Sequence, residues 1–169
     1  MALNTLTDVF VDQIEDLYSA ETQLVEALPG VASAAQDAKL RDAIQTHLEQ
    51  THGHVERLRN ILSDLGITSP GQVCEGMAGL LAEGEEIIRT PGSGPAKDAA
   101  LIAAAQRVEH YEIAAYGTAR ALAGELGYDD AVGLLAETLE EENHADELLS
   151  KIATGGLLRS GVNAQADDR

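Results

Sequence analysis

An all-α protein, built as an antiparallel four-helix bundle with an extra short helix in the long crossover between helices 2 and 3, is the fold this sequence predicts. Three observations carry that reading. The composition is 44% hydrophobic but only 3% aromatic, without Trp and rich in Ala, Leu, Glu and Ile, which build helices more readily than strands. Four long segments repeat apolar residues every three or four positions. The connection between the second and third, residues 66–97, is too long for a tight hairpin and lets those two helices run parallel.

At 169 residues the chain is one domain of ordinary size. We place the bundle at 1–156 and a C-terminal tail at 157–169.

Helix 1 is capped by Thr5 or Thr7 and runs to about Leu28, where Pro29-Gly30 stops it. Its stripe is Leu6, Phe10, Ile14, Leu17, Glu21, Leu24 and Leu28. Helix 2 runs from about Ala38 to Leu65 and ends at Gly66. Its stripe, Leu40, Ile44, His47, Thr51, His54, Leu58, Ile61 and Leu65, is polar at its centre. Within the crossover, Ser69-Pro-Gly-Gln precedes a short helix from about Val73 to Ile88, and Thr90-Pro-Gly-Ser-Gly-Pro95 reads as a hinge. The short helix either covers the bundle or builds a dimer contact.

Helix 3 runs from about Ala96 to Leu126 and stops at Gly127. One of its faces is Ile102, Ala105, Glu109, Glu112, Tyr116, Ala119 and Ala123, apolar at both ends and acidic in the middle. Helix 4 begins near Asp129 or Asp130 and ends near Gly155-Gly156, with Leu135, Thr138, Leu139, Glu142, Ala145, Asp146, Leu149 and Ile152 along its stripe. The tail reads as a short arm or frayed end.

The 29 acidic residues against 11 Lys and Arg give a formal charge of −18. Such a surface repels nucleic-acid phosphate and anionic membranes and attracts cations, so neither nucleic acid nor membrane is an expected partner. No window reaches the roughly 18 apolar residues of a membrane span, and a cytoplasmic location is expected. Cys74, the single cysteine, excludes an intramolecular disulfide and reads as a small buried hydrophobe.

Unpaired buried carboxylates cost several kcal/mol or more unless neutralised or coordinated, so acids at the centre of inward stripes predict a cation. In the hairpin joined near residue 33, Glu21 falls level with the turn from His47 to Gln50. In the hairpin joined near residue 127, Glu112 falls level with Glu142 and Glu109 with Asp146. The candidate ligands are therefore Glu21, His47, His54, Glu109, Glu112, Glu142 and Asp146, with Gln50 an alternative donor on helix 2. Two levels one turn apart describe a site for two metal ions, and carboxylates with imidazole suit iron or manganese. Competing structural readings pair the acids with Arg107 or Arg120, or satisfy an inward His with Gln50 or Thr51. Tyr18 and Tyr116 lie beside the site, and His110 lies on an outer flank.

A search for Glu-x-x-His finds Glu49 with His52 and Glu141 with His144. Relative to the stripes, Glu49 and His144 point away, so periodicity argues against both pairs.

The run VEHYEIAAYGT, which holds Glu109, His110, Tyr111, Glu112 and Tyr116, resembles the signature of the YciE/YciF family of ferritin-like stress-response proteins. LYSAETQL around Glu21, HLEQTHGHVERL from His47 to Leu58, CEGMAGLLAEGEE from Cys74 and TLEEENHADELL from Thr138 resemble its other blocks, in order across residues 5–153. The resemblance implies a ferritin-like bundle related to rubrerythrin, a homodimer and a place in bacterial stress responses. Glu109 and Glu112 are similar to the Glu-x-x-Glu of rubrerythrin's third helix. Where rubrerythrin carries inward Glu-x-x-His pairs, this chain departs, with Thr51 before His54 and Glu142 before Ala145.

The functional expectation is a binuclear non-haem metal protein holding two iron ions, with manganese as the other candidate, in which Glu112 or Glu142 bridges the ions. Its chemistry would be oxidation of Fe(II) or reduction of peroxide or dioxygen, with the redox partner left open. The alternative is a structural or interaction dimer of the same fold whose metal site stabilises it or is degenerate, and a manganese catalase is a third possibility.

Overall fold

The computed structural model describes residues 3–68, 71–156 and 159–167. Four long helices form the bundle: α1 (Leu6–Ala34), α2 (Ala38–Asp64), α4 (Pro95–Leu126) and α5 (Asp129–Thr154), with the short α3 (Glu75–Arg89) in the crossover. The all-α bundle with its extra crossover helix is thus as expected. Ser69 and Pro70 of the predicted SPGQ turn lie outside the described residues.

A capping box starts α1: Asp8 N–H donates to Thr5 Oγ1 at 3.1 Å, and Thr5 N–H donates to Asp8 Oδ2 at 2.8 Å, which satisfies two donors that a helix start leaves orphaned. Contrary to the predicted stop, α1 passes through Pro29-Gly30 and continues to Ala34. Pro29 and Gly30 are both exposed. The next turn buries Ala32, and Ala35 behind it, and that packing outweighs the propensity penalty. The connection consequently falls at Ala35–Asp37. Asp37 caps α2 by accepting from Lys39 and Leu40 N–H.

Asp98 on the first turn of α4 is 2% exposed and accepts from Gln36 N–H at 2.8 Å and Asp37 N–H at 2.7 Å. This ties the start of α4 to the start of α2, so the two helices run parallel. The crossover therefore traverses the bundle. It passes so close over α1 that a Cβ on Gly71 would lie 2.5 Å from Glu15 Cβ, which only glycine avoids. Cys74 then caps α3 with Sγ accepting from Met77 N–H, its backbone N–H donating to Ser19 Oγ at 2.9 Å and Tyr111 OH 3.0 Å from Sγ. The cysteine is buried, as expected, but as a hydrogen-bonded cap.

Two apolar clusters fill the ends of the bundle. One gathers Phe10, Ile14, Leu17, Leu58, Tyr116 and Leu135. The other gathers Leu24, Leu28, Leu40, Met77, Leu101 and Leu149. The tail is more than a frayed end: after a two-residue antiparallel pair between β1 (Gly155–Gly156) and β2 (Arg159–Ser160), α6 (Val162–Gln165) buries Val162 in the second cluster. Gly161 makes this return possible, because a Cβ there would lie 2.2 Å from Gly155 N.

Candidate metal centre

Between the two apolar clusters lies a layer of buried polar side chains drawn from all four long helices. Glu21 comes from α1, His47, Thr51 and His54 from α2, Glu109 and Glu112 from α4, and Glu142 from α5; all are buried, and Glu21, His54, Glu112 and Glu142 are wholly inaccessible. Each lies on the stripe that carries its helix's apolar residues, so packing the stripe packs the acid with it.

The ligand atoms fall into two groups, each drawn together within 4.8 Å: His47, Glu109, Glu112 and Glu142 in one, Glu21, His54 and Glu142 in the other. Glu142 belongs to both. At the first corner His47 Nε2 is 3.5 Å from Glu109 Oε1 and 3.8 Å from Glu142 Oε2. At the second, His54 Nδ1 is 3.1 Å from Glu21 Oε1 and 3.0 Å from Glu142 Oε1.

Protein groups brace the second corner. Tyr116 OH donates to Glu21 Oε1 at 2.5 Å. His54 Nε2 meets Glu141 Oε2 at 2.9 Å, and Arg57 Nη1 donates to that same oxygen at 2.6 Å. At the first corner both nitrogens of His47, both oxygens of Glu112 and Glu109 Oε2 lack a hydrogen-bond partner, and so, at the second, do Glu21 Oε2, His54 Nδ1 and both oxygens of Glu142.

Burial and crowding shift the protonation of this layer. Burial, followed by the charges of Glu21 and Glu142, pushes Glu112 well above the usual carboxyl range; burial and the Glu142 charge do the same to Glu109. Burial also raises Glu21, against the pull of His54. Burial opposes charge on both imidazoles. It prevails at His47, which is lowered, whereas the carboxylates of Glu142 and Glu21 overcome it at His54 and push that ring up to about 10. Glu142 resists burial because His54 and His47 hold its carboxyl below the ordinary value.

Six of the seven residues expected as ligands converge: Glu21, His47, His54, Glu109, Glu112 and Glu142. Asp146 does not join them. It lies one turn beyond Glu142 but rotated about 40° from it, since four residues advance a helix by about 400°, and that places it on a flank. There it accepts from Gln106 Nε2 at 3.0 Å and lies 3.6 Å from His110 Nε2. Glu21 faces His54 and not the His47–Gln50 turn, because the connection falls at residues 35–37 and not near residue 33.

Glu49, His52 and His144 are exposed, so neither Glu-x-x-His pair forms a site. Glu141, set aside along with His144, is nonetheless the residue that holds the outer nitrogen of His54. The arginine that reaches the centre is Arg57 and not Arg107 or Arg120, which are both exposed. Arg57 follows His54 by three residues, a spacing that puts both on one flank of α2, and this was the signal that could have identified it.

The donor set fits a metal. Among the described residues, every buried side-chain nitrogen or oxygen without a hydrogen-bond partner belongs to Glu21, His47, His54, Glu109, Glu112 or Glu142. Buried polar groups are otherwise nearly always paired, and carboxylate oxygens with imidazole nitrogens are the ligands of the harder transition metals. The unpaired atoms all point to one place.

The sequence matches the family described as Domain of unknown function (DUF892) over residues 5–166. It is 44% identical over 164 residues to Protein YciF of Escherichia coli K12, covering 96% of this chain and 99% of that one. The crystal structure of the E. coli stress protein YciF superposes with a TM-score of 0.84 at 46% identity, covering 88% of this chain and 94% of that one. YcfI from Rhodopseudomonas palustris gives 0.86 at 38% identity, covering 89% and 96%. A Xanthomonas campestris protein, at 0.69 and 18% identity over 87% and 89%, shares the fold alone.

Proposed function

The chain belongs to the DUF892 family, and from that premise we propose that it is a binuclear non-haem metal protein of the bacterial stress response, holding two iron ions in the bundle core. His47, Glu109, Glu112 and Glu142 would hold one ion and Glu21, His54 and Glu142 the other, with Glu142 common to both. The single observation that carries this reading is the confinement, among the described residues, of the unpartnered buried side-chain nitrogens and oxygens to these six residues. Iron in such a site supplies electrons to peroxide or dioxygen, and manganese is the other metal that the donor set suits.

The protein's own residues do the remaining work. Two apolar clusters above and below the layer exclude water from it. Tyr116 fixes Glu21, and Arg57 through Glu141 fixes His54, which are outer contacts of the kind that orient metal ligands. Glu109 and Glu112 carry protons that metal binding would displace. A homodimer in the cytoplasm, with a redox partner of unstated identity, completes the proposal. No helix among the described residues is long and apolar enough to cross a membrane.

Elemental analysis of protein purified without added metal, followed by anaerobic loading with Fe(II) and addition of peroxide, tests the reading. The expected result is about two irons per chain and stoichiometric consumption of peroxide. Iron that binds without consuming peroxide would favour a second reading, in which the metal only stabilises the bundle. The Rhodopseudomonas palustris relative, provisionally described as structural, supports that second reading.

A further inference from the structure

Next to the His47 corner the bundle holds a partly open pocket of about 220 Å³. Small side chains create it: Ala27 of α1, Ala43 of α2, Ala104 and Ala105 of α4 and Ala145 of α5 line its wall. At the corresponding depth on the other side of the polar layer, Phe10, Leu17, Leu58 and Tyr116 fill the bundle. Leu80, Leu81 and Gly84 of α3 line it as well, which gives the crossover helix a role as one of its walls.

The space is apolar except at one end. There His47 and Glu109, 6% and 3% exposed, line the wall, and both ring nitrogens of His47 and Oε2 of Glu109 have no hydrogen-bond partner. Gln50 stands beside them. An apolar cavity of about 150 Å³ accommodates benzene, so by volume this pocket has room for more than a diatomic gas. Its chemistry is an aliphatic slot ending in hydrogen-bonding groups. An anionic end group at His47 would meet Glu142, whose Oε2 lies 3.8 Å from His47 Nε2 and whose carboxyl is held ionised by the two imidazoles, in a chain of net charge −18, and like charges in such surroundings repel strongly.

We propose that this cavity is a binding site for a small aliphatic molecule with one uncharged oxygen end group, of the alcohol or alkyl hydroperoxide class, its chain among the alanines and its oxygen toward His47 and Glu109. The proposal rests on the metal reading only for what the oxygen end meets beyond His47. The hydrocarbon slot itself needs no metal.

Titration calorimetry of the whole chain with 1-octanol, in metal-free and Mn(II)-loaded forms, tests it. Saturable binding at one site is expected in both forms. At ligand about 100-fold above Kd, binding to the native state alone raises thermal stability measurably. Replacing Ala105 by Leu, or Ala145 by Leu, fills the slot and should weaken binding at least 10-fold, while each variant melts at or above the wild-type temperature because a void has been removed.

Either leucine variant suffices if the other fails to fold. Octanoate should bind at least 10-fold more weakly than the alcohol. Absence of saturable binding, undiminished binding in both filled variants, or tighter binding of octanoate would overturn the proposal. The metal reading is scored separately, because Glu112→Gln abolishes metal uptake at the His47 corner without touching the alanine wall. Octanol binding without metal uptake would defeat that reading alone, and metal uptake without octanol binding would defeat this one alone.

Discussion

The His54 corner and the His47 corner share Glu142 but are finished by different means. At the His54 corner the protein supplies partners: Tyr116 to Glu21, and Glu141 with Arg57 to the outer nitrogen of the ring. At the His47 corner neither ring nitrogen and neither oxygen of Glu112 has a partner, and a cavity opens beside them. One corner is braced from outside by protein groups. The other leaves a bound cation as the group that would satisfy it.

The largest expected effect comes from removing what the two share. Glu142→Ala should lower metal affinity at both corners by at least about 100-fold, since even outer contacts to metal ligands are worth 10–100-fold. Glu112→Gln, which touches only the His47 corner, should leave about one ion per chain against the two proposed for the wild type. Equal metal content in the two variants, measured by elemental analysis after dialysis, would dissolve the distinction.

Second in size is the metal-free stability of the His54 corner. His54→Leu strands Glu21 and Glu142 without the cation between them, and removing one partner of a buried pair costs about 3–5 kcal/mol. Chemical denaturation in the presence of chelator measures this. A loss below about 1 kcal/mol would mean that the network contributes nothing and that this corner, too, waits for metal.

Most of this centre was legible in the sequence because period and burial are coupled. An acid in the place of a leucine on an inward stripe is visible without coordinates, as Glu21, Glu109, Glu112 and Glu142 were. What escaped depends on angle and register. Asp146 shares the stripe with Glu142 but is turned by about 40°, too little to register in a pattern and enough to move it onto Gln106. The level of Glu21 depends on where the hairpin turns: a turn near residue 33 sets it against His47 to Gln50, whereas burial of Ala32 and Ala35 carries α1 on and moves the turn to residues 35–37. Glu141 was dismissed together with His144, although residues adjacent to a stripe can still reach its edge. Asp98, which sets α4 parallel to α2, gives no periodic signal, since its partners are backbone groups some 60 positions away.

A smaller effect follows from protonation. Glu21, Glu109 and Glu112 are raised and His54 is pushed up to about 10, so each contributes stability that is complete below its unfolded value and is lost as pH rises through its folded value. His47, which is lowered, acts oppositely, its contribution failing as pH falls below about 6.5. Glu141 and Glu142, also lowered, fail only below about 4.5. Metal-free protein should therefore lose stability from about pH 6.5 toward about pH 10. Metal binding needs the same carboxyls deprotonated, so the stabilisation added by Mn(II) should grow over that range. Melting curves with chelator and with Mn(II) that stay parallel across pH would remove the link between these protons and the metal.

The smallest change in stability is expected at His47, and it discriminates the corners most sharply. His47→Leu removes two buried nitrogens that have no partner and replaces them with a side chain that suits the adjoining Ile44 and Leu149. An unsatisfied buried polar group costs about 1–3 kcal/mol, and its replacement by an apolar group of similar shape is nearly neutral or stabilising. Metal-free stability should stay within about 1 kcal/mol of wild type or rise, while uptake of one ion is lost. The same substitution at His54 is costly because there the protein has already built the partners. If His47→Leu proved as damaging as His54→Leu under chelator, the His47 corner would be a self-sufficient network like its neighbour, and the case for a cation between Glu109, Glu112 and Glu142 would lose its chief support.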